Sequence, residues 1–204
     1  MDKLTLEYYA DNAEVIALRY ESIPSALEAY FPIAFTKEGK ILDIGFGSGR
    51  DLIVLIRQGF NAYGIDPTTK LVEIAERIHP ELTGRISVGS LPDLGTPFDG
   101  EFDGVLCCAI LMHLDAIRLI KSVAAIKELL KKEGRILISL PIKRNDVNDN
   151  QRDYHGRLFV PYTSNQLKNV FKDQGFELIN EWGNNDYFHR DGVKWMTHLY
   201  HLYS

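Results

Sequence analysis

The chain has 204 residues, 45% of them hydrophobic and 25% charged, a composition that predicts one globular domain over 1–204 and argues against a disordered or fibrous chain. Its net charge of -5 and isoelectric point near 5.7 disfavour a surface built to neutralise many phosphates, so we expect no nucleic-acid partner. There is no run of about 18 apolar residues to cross a membrane, and the N-terminus lacks a signal peptide's apolar core, so we expect a cytoplasmic protein without a membrane partner.

The N-terminal segment, 1–36, has a mostly helical pattern and precedes the first predicted strand. A polar link at 143–160 follows a later strand. Because open α/β sheets bind ligands outside the carboxyl ends of their strands, we predict that the two segments form one lid, with 143–160 as a substrate-side insertion. The alternative for 1–36 is a pair of helices that only covers the core.

Between residues 40 and 140, short apolar runs alternate with segments of helical period, which is typical of successive βαβ units and therefore of a parallel sheet. Farther along, Thr163 and Gln166 have the spacing of a capping box, which predicts a helix that stops at Gly175. The predicted strands are 40–44, 62–65, 86–88, 102–108, 135–140, 176–182 and about 195–202, and the earlier predicted helices are about 49–59, 68–78 and 115–130.

Residues 41–51 read Ile-Leu-Asp-Ile-Gly-Phe-Gly-Ser-Gly-Arg-Asp, a buried strand that runs into a glycine loop and a helix. Gly45, Gly47 and Gly49 allow a sharp turn and a close approach of the backbone to a ligand. Asp66 ends the next strand, 21 residues beyond Gly45, where a carboxylate can accept both hydroxyls of a ribose. The pattern therefore predicts a nucleoside-type cofactor. The alternative is that Asp66 only caps the helix that follows.

The spacing of the glycine loop distinguishes between nucleoside cofactors. A dinucleotide fingerprint that starts at Gly45 needs a small residue at position 50, where this chain has Arg50. The observed form, Asp43-x-Gly45-x-Gly47-x-Gly49, resembles motif I of class I S-adenosylmethionine-dependent methyltransferases. The resemblance implies an α/β fold of three layers (α/β/α, Rossmann-like), with a mostly parallel seven-stranded sheet, an antiparallel last strand and an N-terminal helical lid.

The same resemblance, which covers about residues 40–141, implies S-adenosylmethionine as cofactor, S-adenosylhomocysteine as product and no metal. In that family the glycine loop holds the amino acid part of the cofactor, and the acid after the second strand holds the ribose. The loop after the third strand flanks the adenine. The commoner pattern has an Asp where Ser90 stands, so the Ser90 hydroxyl would accept a weaker hydrogen bond from the adenine amino group than an Asp carboxylate does. The implied cofactor-binding residues are Asp43, Gly45, Phe46, Gly47, Gly49, Arg50, Asp66, Pro67, Ser90, Leu91, Cys108 and Ala109.

Residues 109–114, Ala-Ile-Leu-Met-His-Leu, are similar to the family's segment near the sulfonium. His113 is the nearest candidate for a general base, because the ordinary pKa of histidine lies close to neutral pH. Its alternative role is to orient the loop. The Asn/Asp-Pro-Pro-Tyr signature of DNA amino-methyltransferases would fall around 107–110 and is absent.

The polar link holds a dense group, Arg-Asp-Tyr-His-Gly-Arg, at 152–157. Arginine offers a planar fork of donors that suits a carboxylate or phosphate, and tyrosine or histidine can move a proton. The alternative is that these are ordinary solvated loop side chains. The predicted catalytic residues are His113, Tyr154 and His155, and the predicted substrate-binding residues are Tyr9, His113, Arg152 and Arg157.

We expect methyl transfer to the oxygen or nitrogen of a small-molecule acceptor, by a monomer or homodimer. One alternative is a protein-directed methyltransferase, which would usually need an open groove for a peptide. A second alternative is a non-catalytic protein that binds S-adenosylmethionine. An NAD-dependent oxidoreductase is disfavoured by Arg50.

Overall fold

The computed structural model describes residues 1–186, 188 and 190–203. Its helices are α1 (Lys3–Asp11), α2 (Ala13–Glu21), α3 (Phe31–Ala34), α4 (Arg50–Arg57), α5 (Thr69–Ile78), α6 (Ala116–Leu129) and α7 (Ser164–Asp173). Its strands are β1 (Lys40–Ile44), β2 (Asn61–Asp66), β3 (Ile86–Val88), β4 (Phe102–Cys108), β5 (Leu130–Lys143), β6 (Phe176–Asn184) and β7 (Lys194–Leu202). Within the described part of the chain, no helix combines the length and apolarity that a membrane span requires.

The seven strands form one sheet in the order β3-β2-β1-β4-β5-β7-β6. β7 is antiparallel to both of its neighbours, whereas the remaining pairs are parallel. The predicted mostly parallel sheet with an antiparallel last strand is therefore confirmed. The strand order reverses between β1 and β4, and in open α/β sheets the crevice outside the strand ends at such a point is the usual ligand site.

Side-chain alternation along β1 explains the layers on the two faces of the sheet. Ile41 belongs to a buried cluster with Leu52 and Leu55 of α4. The next residue, Leu42, points to the opposite face and belongs to a second cluster with Val123 of α6. Helices therefore cover both faces, which confirms the three-layer α/β/α arrangement.

The predicted bounds of these elements are confirmed to within two residues at each end, except for β5. β5 begins five residues before the predicted 135, because Leu130 pairs with Phe102 before the register shifts. The predicted capping box at the start of α7 is present. The Thr163 hydroxyl accepts a hydrogen bond from the Gln166 backbone N–H, and the Gln166 side-chain oxygen accepts one from the Thr163 backbone N–H. The N-terminal segment is helical as predicted.

Candidate active site

The glycine loop after β1 adopts backbone conformations that favour glycine. Gly45 and Gly47 have φ values of +79° and +62°, and a Cβ on Gly45 would lie 3.0 Å from Cδ1 of Ile110. Gly49 directly precedes α4 with φ +91°, and a Cβ there would lie 2.6 Å from Cδ1 of Leu82. Gly45 and Gly47 line a cleft that encloses about 180 Å³, whereas Gly49 permits the close packing of Leu82.

Three buried carboxylates surround the glycine loop: Asp43, Asp51 and Asp66 are 1%, 6% and 4% exposed. The Asp66 carboxylate accepts the backbone N–H of Gly47 at 3.0 Å and that of Thr68 at 2.8 Å. Burial outweighs these bonds and raises the pKa of Asp66 to about 6. Burial, with the charges of Asp51 and Asp66, raises the pKa of Asp43 well above its ordinary value. Oδ1 of Asp43 has no hydrogen-bond partner among the described residues.

One guanidinium group lies among these carboxylates. Arg50 donates from Nε and Nη2 to the Asp51 carboxylate at 3.0 and 3.2 Å, and from Nη1 to the Tyr20 carbonyl at 3.4 Å. Burial opposes the charged form, yet the Asp51 carboxylate raises the pKa of Arg50 above its ordinary value. With one cation beside three acids, this part of the cleft favours a positively charged ligand.

The loop after β4 forms the neighbouring wall of the cleft. Cys108 and Ala109 line it, and Ala109 has a left-handed backbone with φ +57°. The Ala109 N–H donates to the Ser139 carbonyl at 2.8 Å, which holds this turn against β5. Such backbone strain in a residue other than glycine is common beside functional sites. The turn leads into a short 3-10 helix, Leu111–His113, that brings His113 to the cleft.

His113 is 1% exposed, and both of its ring nitrogens have partners. Nδ1 lies 2.6 Å from the Leu158 carbonyl, which can only accept, so Nδ1 carries the proton in the neutral ring. Nε2 is then the accepting atom, 3.3 Å from the Tyr9 hydroxyl. Burial, with the positive charges of Arg157 and Arg144, lowers the pKa of His113 to about 4. The ring is therefore neutral at pH 7.

The N-terminal segment and the 143–160 link contact each other directly. The Arg152 guanidinium donates to both carboxylate oxygens of Asp2 at 3.0 and 2.9 Å. Nearby, the Leu158 backbone N–H donates to the Thr5 hydroxyl at 2.9 Å. These bonds join α1 to the link that contacts His113. That the two segments open and close as a lid stays a prediction.

Comparison with known proteins identifies the family. A family model described as a methyltransferase domain matches residues 16–181, which is most of the chain. This chain belongs to the methyltransferase domain family.

Individual relatives of this chain match shorter stretches. It is 32% identical over 78 residues to the magnesium-protoporphyrin O-methyltransferase of Rhodobacter capsulatus (38% of this chain, 34% of the relative). It is 32% identical over 117 residues to the protein-L-isoaspartate O-methyltransferase of Chlorobium phaeobacteroides (55% and 54%). The chain thus spans about half or less of the length of these curated relatives.

A solved structure supports the fold over nearly all of the chain. The 1,6-didemethyltoxoflavin-N1-methyltransferase of Burkholderia thailandensis, determined with S-adenosylhomocysteine, superposes with a TM-score of 0.74 at 19% identity. The match covers 98% of this chain and 88% of that one. At this identity the likeness concerns the fold.

Most of the residues predicted as sites lie around the cleft beside the glycine loop. Those of the cofactor set that line it are Asp43, Gly45, Phe46, Gly47, Arg50, Asp66, Pro67, Cys108 and Ala109, and those of the catalytic and substrate sets are Tyr9, His113 and Arg157. Within the described residues, no group of three or more His, Cys, Asp or Glu side chains could hold a metal ion.

Three predicted residues of the polar link do not line the cleft. The Tyr154 side chain is 96% exposed, and the exposed His155 ring lies 4.7 Å from the ring of Tyr8. Arg152 is bound to Asp2. Neither Tyr154 nor His155 is placed to move a proton at the cleft in this conformation.

Three predicted cofactor residues also lie outside the cleft lining. Gly49 packs against Leu82, as described above. Leu91 is 1% exposed, and its carbonyl accepts from the Ser90 hydroxyl at 3.2 Å and from the Met1 amino group at 3.3 Å. Met1 itself lines the cleft, so the N-terminus lies between the cleft and the predicted adenine loop.

Several cleft residues escaped the sequence analysis. Asp51 carries a signal that could have found it, because it directly follows Arg50 in the glycine-loop motif. No sequence signal marks three further residues, which lie at the ends of β5, β6 and β7: Arg144, Asp186 and Trp195. Only the folded sheet brings those ends together.

Proposed function

We propose that the protein transfers a methyl group from S-adenosylmethionine to the oxygen or nitrogen of a small-molecule acceptor. One observation carries the proposal: a single cleft joins the buried carboxylates beside the glycine loop to Tyr9 of the N-terminal segment and to His113 beneath it. The first part would hold the cofactor, and the second would face the acceptor. The proposal rests on the family of the chain and on the fit of these residues.

The residues beside the glycine loop suit the functional groups of the cofactor. Gly45 and Gly47 let the backbone approach a ligand closely. Each Asp66 oxygen has a lone pair left beyond its backbone bond, so the carboxylate can still accept ribose hydroxyls. The unpartnered Oδ1 of Asp43 would face the positively charged end of the cofactor. When bound, S-adenosylmethionine supplies a methyl group on a sulfonium, which is already a good electrophile.

The same charges disfavour a dinucleotide. One guanidinium, that of Arg50, lies beside the three carboxylates of Asp43, Asp51 and Asp66, and it is already paired with Asp51. A pyrophosphate would bring further negative charge into a buried, acidic site, where like charges repel strongly. A sulfonium and an ammonium bring positive charge to the same place. The electrostatics therefore support the cofactor proposed from the spacing.

The protein's own residues would orient the acceptor and exclude water. His113 directs its unprotonated Nε2 at the Tyr9 hydroxyl, and at pH 7 an acceptor that displaces this hydroxyl can donate a hydrogen bond or proton to the same atom. A pKa near 4 makes His113 a weak base, so it removes a proton best from an acidic acceptor or as the methyl group transfers. We propose no proton transfer by Tyr154 or His155, because neither lines the cleft.

Coverage of the cleft favours a small acceptor over a protein. His113 is 1% exposed beneath Tyr9, and the Asp2–Arg152 bridge ties α1 to the 143–160 link. A peptide would have to displace these segments, whereas a small molecule needs a smaller opening. The two curated relatives differ on this point by name, since one is a magnesium-protoporphyrin enzyme and the other a protein-L-isoaspartate enzyme.

The first experiment measures cofactor binding by thermal denaturation and calorimetry. S-adenosylhomocysteine should raise the melting temperature and NAD should not, because only the former fits the acidic site. Asp66→Ala should weaken S-adenosylhomocysteine binding about 5- to 150-fold, the effect of losing a hydrogen-bond partner in a buried site. The matched control is Asp149→Ala, which removes an exposed carboxylate from the polar link. Equal affinities of the two variants would contradict the ribose assignment.

The second experiment follows a labelled methyl group from S-adenosylmethionine into a pool of metabolites and proteins. Label in a small-molecule fraction, lost in Asp66→Ala, is the expected result. Label only in protein would make the enzyme protein-directed, and tight cofactor binding with no transfer to either pool would make it a non-catalytic binder.

A further inference from the structure

Two nearly buried guanidinium groups form the wall of the cleft around Phe159. The Arg144 and Arg157 side chains are 6% and 15% exposed, and both line the cleft. Their guanidinium carbons lie 3.6 and 5.1 Å from the centre of the Phe159 ring. The His113 ring contacts the same Phe159 ring at 4.7 Å. Both cations therefore stand beside the residue proposed to face the acceptor.

Each guanidinium is held by a carboxylate that does not line the cleft. Arg144 donates from Nε and Nη2 to Asp146, and Arg157 donates from Nε and Nη2 to Asp153. The Asp153 side chain is 4% exposed and also accepts backbone N–H bonds, so the plane of Arg157 is well fixed. In both arginines the Nη1 amino group, with two N–H bonds, has no hydrogen-bond partner among the described residues. The structure thus leaves two oriented NH₂ groups, one on each cleft-lining arginine, without an acceptor.

The charge of this wall differs from that of the glycine-loop end. There, three carboxylates surround one guanidinium, whereas here each guanidinium is balanced by one carboxylate behind it. Arg19 also lines the cleft and makes no ion pair within the described residues. N–H groups of a guanidinium bind ionised oxygen more strongly than neutral oxygen. The wall therefore suits an anionic group, while the other end suits the cationic cofactor.

We propose that the methyl acceptor is a small aromatic acid whose carboxylate, or a comparable oxyanion, accepts hydrogen bonds from Nη1 of Arg144 and Arg157. Tyr9, Phe159 and Trp195 supply the aromatic lining for its ring. This inference rests on the proposed methyl transfer and names the chemical class of its acceptor.

The bound anion would also change the behaviour of His113. The positive charges of Arg157 and Arg144 contribute to the low pKa of His113, after burial. An oxyanion between these groups offsets their charge and raises that pKa, while burial still holds it below its ordinary value. An anionic acceptor would thereby make His113 a better proton acceptor than a neutral acceptor does.

The test uses calorimetry on the whole chain saturated with S-adenosylhomocysteine. The probes are benzoate, salicylate, nicotinate and 3,4-dihydroxybenzoate, each compared with its neutral carboxamide. At least one acid should bind about tenfold or more tightly than its amide, since charged hydrogen bonds in buried sites have this strength. Arg144→Gln should weaken binding of the acid and remove the difference in affinity between the acid and its amide. Arg118→Gln, which changes an exposed ion-paired arginine of α6, should leave the affinities for the acid and the amide unchanged.

A second variant tests Arg157 without leaving a buried charge that could unfold the protein. Arg157→Gln alone would leave the buried Asp153 carboxylate unpaired, so it is combined with Asp153→Asn. This double variant should bind S-adenosylhomocysteine normally and lose the preference for the acid. If no acid binds while S-adenosylhomocysteine does, or if amides bind as well as acids, the inference is overturned and the proposed methyl transfer stands. If S-adenosylhomocysteine does not bind, the proposed function itself fails.

Discussion

Asp66 allows a quantitative test of the buried acid cluster without any ligand. Burial raises its pKa from 3.8 to about 6, so the folded protein holds this proton more tightly than the unfolded chain does. The stability from this proton is fully present below pH 3.8 and is lost as the pH rises through 6. At 1.36 kcal/mol per pKa unit, the ionised carboxylate costs about 3 kcal/mol of unfolding free energy at pH 7, and about half of that at pH 5.

The perturbation is Asp66→Asn, which cannot ionise. The amide also places an NH₂ group against one of the two backbone N–H donors, those of Gly47 and Thr68, at a cost of about 1–3 kcal/mol that does not change with pH. The pH-dependent part is therefore separable. We expect the unfolding free energy of the wild type, minus that of the variant, to rise by about 1 kcal/mol from pH 7 to pH 5.

The assay is urea denaturation followed by tryptophan fluorescence at several pH values, with Asp149→Asn as the exposed control. Only the difference between proteins is diagnostic, because the buried rings of His113 and His198, whose pKa values burial lowers to about 4, titrate in the opposite sense. A wild type-to-variant difference that stays constant between pH 5 and pH 7 would refute the reasoning about Asp66.

Two further predictions concern other parts of the site. Gly49→Ala should lower the unfolding free energy by about 2–4 kcal/mol, through left-handed strain and a collision with Leu82, and an unchanged denaturation midpoint would contradict this. The depressed pKa of His113 makes the wild type lose stability as the pH falls from 6.5 toward 4. Between pH 7 and pH 5 the wild type should lose about 2 kcal/mol more than His113→Gln in the same assay, and parallel losses would argue against a buried neutral ring.

Local patterns were enough to predict the order and bounds of most elements. The apolar run of β1, the glycines that follow it and the Thr163–Gln166 capping box act over a few residues, so the sequence alone specifies them. The same holds for the glycine loop and Asp66, because a motif places its residues through its own strand, turn and helix. The early start of β5 escaped prediction, since it depends on pairing between Leu130 and the distant Phe102.

Only the tertiary structure decided which polar residues face the cleft. Among the polar residues of one short link, Arg157 lines the cleft while Tyr154 is exposed and Arg152 is bound to Asp2, a difference that composition and spacing do not encode. The burial that shifts the pKa values of Asp66 and His113 likewise comes from packing against remote segments. Sequence thus determined the fold and the cofactor motif through local geometry, whereas the acceptor wall depends on contacts between strand ends far apart in the chain.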